Sequence, residues 1–216
     1  EGITSEDGQG ETGPDDGNTV SGGEESGGEE ESAPEPVCTY DPATKTLTFE
    51  NYELVNKGIL DGCLAEKQMI AEDVERLVFK NVDEVSAIGS SHSKWSNLGA
   101  VVIEDARTIG EKAFFQTKEL AAVTLRNVTT VGPNAFGESR QVQSVTLENI
   151  DYVGAEAFRQ CNALTELAIT NVKEFDRSPF SYCTSLTELI LDGSIQGKSI
   201  LGTTMFYRCT GLRSVI

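Results

Sequence analysis

The stretch VGAEAFRQC, Val153 to Cys161, has two relatives upstream: IGEKAFFQT from Ile109 to Thr117 and VGPNAFGES from Val131 to Ser139. All three run aliphatic, Gly, two variable residues, Ala, Phe. An active site needs such a phrase once, whereas stacked equivalent layers need it at a fixed interval. A second phrase precedes each copy. LAAVTLRNV (Leu120 to Val128), VQSVTLENI (Val142 to Ile150) and LTELAITNV (Leu164 to Val172) share three alternating aliphatic positions followed by Asn and another aliphatic. Successive units begin at Val74, Leu98, Leu120, Val142, Leu164, Leu186 and Leu212, with intervals of 24, 22, 22, 22, 22 and 26 residues. Periods of this length mark a solenoid.

Each part of a unit has a physical reading. Val123 and Leu125 alternate with Ala122, Thr124 and Arg126, the period-two code of a short strand with one buried face. Asn127 turns the chain, and Asn81, Asn149 and Asn171 hold the same position, so a stacked amide ladder is expected. Val131 makes a second inward contact, and Gly132 after it is read as supplying backbone angles that other residues resist. Ala135 and Phe136 fill the interior from the opposite wall. Phe114, Phe136, Phe158, Phe180 and Phe206 should therefore pile on one another, with Trp95 standing in within the first unit. One coil alone cannot offset its ordering entropy, so only stacking makes the array stable.

The period, the L-x-x-V-x-L-x-N strand phrase and the I-G-x-x-A-F-x-x-C return phrase together resemble the bacterial surface leucine-rich repeat family of BspA-like type. The match covers residues 74–216, about two thirds of the chain. Two units depart from the pattern: Val74 to Asn97 lacks the Ala-Phe pair, and the unit from Leu186 has Gly193 for Asn and four extra residues. The resemblance implies a leucine-rich repeat right-handed solenoid, β-rich α/β, with one short parallel strand per 22–26-residue coil and turns, short strands or single helical turns on the return side. It also implies secretion or surface display and a role in adhesion or ligand binding, commonly to an extracellular protein or polysaccharide. It implies no catalytic residues and no cofactor.

The rest of the chain frames the array. Of 216 residues with a formal net charge of −18, residues 1–36 carry 12 acidic side chains and no Lys or Arg. Runs such as SGGEESGGEEES cannot bury enough apolar surface to fold, so residues 1–36 read as a disordered, extended acidic tether to a cell surface. The remaining 23 acidic and 17 basic side chains leave −6, which offers nothing to recruit a phosphate backbone and argues against nucleic acid. No run of eighteen apolar residues marks a transmembrane helix. Residues 37–73 read as an N-terminal cap: CTYDPATKTLTF forms a hairpin around Asp41-Pro42, and residues 60–72 form a short helix with Asp61 at its N-cap. The solenoid, residues 74–216, ends at Val215 and Ile216 in mid-strand, which suggests a longer protein.

Chemistry-bearing residues are weighed against plainer roles. Cys161, Cys183 and Cys209 share one repeat position and read as small stacked residues; no C-x-x-C or nearby His marks a metal site. Cys38 and Cys63 both belong to the cap and can be bridged in an exported protein, but sequence cannot show whether their Cβ atoms approach. DGSIQGKS, Asp192 to Ser199, has three residues between its glycines where a phosphate-binding loop needs four, and reads as an enlarged turn. GQGETG, Gly8 to Gly13, lies in the acidic leader without a preceding strand, and His92 lacks an orienting carboxylate. Glu166 and Glu188, outward on adjacent strands, read as solvated carboxylates, not a glycosidase pair, because no aromatic platform accompanies them. Asn127-Val128-Thr129 fits a glycosylation sequon, but the ladder claims its Asn.

What remains is the outward face of the strands, in three columns. The first is Arg76, Ala100, Ala122, Ser144, Glu166 and Glu188; the second Val78, Val102, Thr124, Thr146, Ala168 and Ile190; the third Lys80, Glu104, Arg126, Glu148, Thr170 and Asp192. The uncharged middle column suits a flat contact surface. Arg76, Val78, Val102, Thr124, Arg126, Thr146, Glu148, Glu166, Glu188 and Ile190 form the candidate binding face, with no catalytic, cofactor or metal residues. The leading expectation is a non-enzymatic extracellular binding module; the alternative is a structural spacer for another domain.

Overall fold

Alternation of aliphatic and polar residues produces the observed strands, and the computed structural model describes residues 33–89, 95–192 and 204–216. The acidic leader through residue 32, His92 and the turn from Gly193 to Ser199 lie outside the described residues. The chain opens with β1 (Val37–Asp41) and β2 (Thr46–Glu50), paired antiparallel around the turn at Asp41. Then come β3 (Leu54–Val55), α1 (Lys57–Glu66) and a 3-10 turn at Ala71–Asp73. The repeats supply β4 (Arg76–Lys80), β5 (Glu84–Val85), β6 (Ala100–Glu104), β7 (Thr108–Ile109), β8 (Ala122–Val131), β9 (Ser144–Val153), β10 (Glu166–Phe175), β11 (Glu188–Asp192) and β12 (Ser214–Val215).

From β2 onward the main sheet is parallel, in the order β2-β4-β6-β8-β9-β10-β11-β12, with β1 on the outer side of β2. The register never slips. Leu77, Val101, Val123, Val145, Leu167 and Leu189 lie side by side, all buried, as do Phe79, Ile103, Leu125, Leu147 and Ile169. A one-residue slip would expose every one of them, which is what fixes the pairing.

Each coil bends where Asn sits. Asn127, Asn149 and Asn171 adopt φ of 52°, 54° and 51°, the left-handed region that Asn tolerates better than most residues. β8, β9 and β10 continue through this bend into a second, narrower parallel sheet with β5 and β7, which buries Val85, Ile109, Val131 and Val153. Three of the four expected amides form a ladder: Asn171 Nδ2 donates to Asn149 Oδ1 at 3.0 Å, Asn149 to Asn127 at 2.9 Å, and Asn127 to the Asp105 carboxylate at 2.8 Å, whereas Asn81 donates to Asn51 instead.

The interior is a column of rings. Phe114, Phe136, Phe158 and Phe180 stack nearly parallel at 5.1, 5.1 and 5.4 Å, and Phe206 follows at 5.7 Å. At the other end the stand-in is not Trp95. Trp95 is buried, but the place beside Phe114 belongs to Phe79 at 6.1 Å, and Phe49 of β2 stacks on Phe79 at 5.7 Å. A strand Phe reaches the same layer from the front wall when the return phrase lacks Ala-Phe.

Two local expectations change. The helix starts at Lys57, because the Asn56 carboxamide accepts from the amides of Gly58 (2.8 Å) and Ile59 (3.2 Å); Asp61 is inside the helix, paired with Lys57 at 3.0 Å. The repeated Gly does not serve backbone angle either. Gly132 and Gly154 lie outside the left-handed region, but a Cβ on Gly132 would sit 2.8 Å from backbone atoms of Gly110 and Glu111, and one on Gly154 2.9 Å from those of Gly132 and Pro133. Gly is required because adjacent coils touch there. The left-handed residues of the return side include Lys112, Asn134, Glu156 and Ser178 and, four residues further on, Gln116, Glu138, Gln160 and Tyr182.

Candidate functional site: the parallel-sheet face

Because side chains alternate along a strand, the residues between the buried positions share one outer face. The in-register pairing assembles the three columns. Arg76, Ala100, Ala122, Ser144, Glu166 and Glu188 are consecutive partners; so are Val78, Val102, Thr124, Thr146, Ala168 and Ile190, and Lys80, Glu104, Arg126, Glu148, Thr170 and Asp192. Val78, Val102, Thr124 and Thr146 are half-buried by their neighbours, and Ile190 is 44% exposed. All ten candidate residues therefore lie on one surface.

The columns differ in what their charges do. Arg126 donates to Glu104 at 2.8 Å and to Glu148 at 3.1 Å, and these carboxylates, Glu104 more than Glu148, raise its pKa. Both its neighbours in the column are thus engaged, so Arg126 and Glu148 brace the sheet. Glu166 and Glu188 have no ion pair among the described residues. With Ser144, Thr146, Ala168 and Ile190 they line a shallow depression of about 130 Å³.

The face also extends beyond the sequence reading. Thr46, Thr48 and Glu50 of β2 pair with Arg76, Val78 and Lys80, while Phe49 joins the ring column and Asn81 donates to Asn51 at 2.7 Å. The signal was present: T-L-T-F-E-N from Thr46 matches R-L-V-F-K-N from Arg76, but the 30-residue interval hides it.

A second cluster, on the return side, was also missed. Arg208 lies 5.5 Å from the centroid of Tyr207 and 5.8 Å from that of Tyr182; Arg159 lies 5.6 Å from Tyr182, and the two tyrosines meet edge to face at 5.6 Å. Its sequence signal is the recurrence of F-S-Y-C at Phe180 and F-Y-R-C at Phe206.

The cysteines divide as their surroundings dictate. Cys38 of β1 and Cys63 of α1 form a disulfide with a Cα separation of 6.4 Å. The other three are hydrogen-bond donors, beyond the small-residue role read from sequence: Cys161, Cys183 and Cys209 point Sγ at the carbonyls of Phe136, Phe158 and Phe180, at 3.5, 3.3 and 3.0 Å. Ser139 and Thr117 hold the same position and each donate to the Phe114 carbonyl at 2.9 Å. The neighbouring Cys161 thiol, together with burial, pushes the Cys183 thiol well up, against an opposing effect of Cys209. The sequon Asn127 uses both ends of its amide in the ladder. No helix of the described residues is long and apolar enough to cross a membrane.

The BspA type leucine rich repeat region matches residues 86–215 in six copies. The chain belongs to this BspA-type leucine-rich repeat family. Two solved structures are similar to this repeat protein. One is a leucine rich cell surface protein from Faecalibacterium prausnitzii A2-165, 18% identical, with a TM-score of 0.42, covering 84% of this chain and 54% of its own. The other is a leucine-rich repeat protein from Bacteroides ovatus ATCC 8483, 15% identical, with a TM-score of 0.38, covering 84% of this chain and 69% of its own. The BspA-type chain thus spans about half the length of the first of these. No curated protein gives a significant match.

Proposed function

We propose that this BspA-type chain is an extracellular, non-enzymatic binding and adhesion module whose sheet face meets a protein or polymer partner. The observation that carries the reading is the middle column: from Val78 to Ile190, six in-register side chains on one face carry no charge. Strands ~4.8 Å apart make it ~24 Å long, enough for an extended ligand. The cap disulfide supports export, since such bonds persist in oxidising compartments. A non-enzymatic role is supported by what the thiols do: each is a buried or half-buried donor to a Phe carbonyl. In this reading residues 1–36 are an acidic tether, 37–73 a cap and 74–216 the repeat array.

A spacer role is favoured by one observation, the closure of Glu104, Arg126 and Glu148 on one another. A protein and glycan array probed with the full chain separates the two. The binding reading expects a ligand that is lost in a Val102→Arg/Thr124→Arg variant with an unchanged melting temperature; a ligand indifferent to that change overturns it.

A further inference from the structure

The depression over β9, β10 and β11 takes in the Thr146, Ala168 and Ile190 end of the uncharged column and says more about the partner than the rest of that column does. It is lined by the small side chains of Ser144, Thr146 and Ala168 and by Ile190, which is 44% exposed. Glu166 and Glu188, register partners on adjacent strands, also line it, without an ion pair among the described residues. At about 130 Å³ it is well below the ~300 Å³ where small-molecule pockets begin, and it suits a single side chain. An apolar side chain and two carboxylates in one lining match a side chain with an aliphatic stem and a cationic head, since Lys and Arg lay their methylenes on apolar surface while the charge stays in water.

We propose that this depression receives one Lys or Arg of an extended polypeptide partner, anchored at the β10–β11 end of the sheet face. The inference rests on the sheet face being the binding surface, and it selects a protein over a polysaccharide. Position follows from charge. Arg76, at the far end of the same column, repels a basic anchor, while Glu166 and Glu188 attract it, so the partner has one favoured placement. The neutral residues between, Ala100, Ala122, Val102 and Thr124, let its backbone lie close.

The test uses full-length protein and synthetic peptides of about seven residues, long enough to span the ~24 Å face. The peptides are identical except for one residue next to an end, Arg, Lys, Gln or Glu. The expected result is that Arg and Lys peptides bind about fivefold more tightly than the Gln peptide and that the Glu peptide is weakest. In Glu166→Gln/Glu188→Gln the Arg and Gln peptides should converge. No binding by any peptide, no charge preference, or a preference that survives the double variant overturns the proposal. A glycan ligand lost in Val102→Arg/Thr124→Arg but indifferent to Glu166→Gln/Glu188→Gln would overturn this inference and leave the sheet-face reading standing.

Discussion

Asp105 interrupts the amide ladder because a carboxylate has no hydrogen to pass on. Asn127 donates to it, but Asp105 cannot donate to Asn81, which instead starts a separate pair with Asn51. Asp105→Asn should join the two segments and raise unfolding stability by about 0.5 kcal/mol, read from denaturant midpoints; an unchanged or lower midpoint contradicts that account. Gly132→Ala tests the other recurring backbone position. Its added methyl has only backbone within 2.8 Å to push against, so the variant should lose ~1–3 kcal/mol, although Gly132 lies outside the left-handed region. Sequence could not separate these reasons for Gly, because close approach and left-handed backbone both ask for the residue without Cβ. The thiols are a third case. Cys161 and Cys183 are buried, and Cys183 sits well above the usual thiol range, so iodoacetamide near pH 8 should spare both until denaturant opens the fold. Rapid native labelling, seen by mass spectrometry, would show that the donor column is not closed.

At the scale of elements, regularity decided what could be read. β8, β9 and β10 were legible from V-T-L-x-N and its relatives because 22-residue spacing puts each residue beside its own equivalent. The cap was less legible. Gly58 and Gly62 lower helix propensity around α1, which hid the Asn56 cap and shifted the expected start toward Asp61. Likewise β2 looked like a hairpin arm alone, although its outward Thr46, Thr48 and Glu50 continue the three columns. What ties these pieces together is covalent: the disulfide joins β1 to α1 across 25 residues of sequence. A closed loop of that size contributes about 3 kcal/mol, so reduction should lower the melting temperature of the cap by roughly 6–12 °C. A melt unchanged by reductant would mean that the helix is held by packing alone.

Among the described residues from Pro34 onward, the inner coils form a stack in which each is covered by its neighbours. Phe136 is in mid-column, with rings at 5.1 Å on both sides, whereas Phe206 is half-buried and follows only Phe180. Phe136→Ala should therefore cost about 3–5 kcal/mol and Phe206→Ala distinctly less, a gradient expected of a one-dimensional array. Equal losses would argue for a core shared in some other way. The columns of the face were legible before the fold, since they are the complement of the buried pattern. Which of them is available was not: the pairing of Arg126 with two glutamates, and the depression beside Ile190, depend on side-chain geometry that no spacing encodes.

The central claim is that recognition belongs to the sheet face and not to the Tyr182, Tyr207 and Arg208 cluster on the return side. The most direct measurement compares one captured ligand against two variants of the full chain, Val102→Arg/Thr124→Arg and Tyr207→Ala/Arg208→Ala, by titration calorimetry. The account predicts that the first loses binding by at least about tenfold and that the second keeps it. Retention by the first with loss by the second would move the site to the opposite wall of the coil.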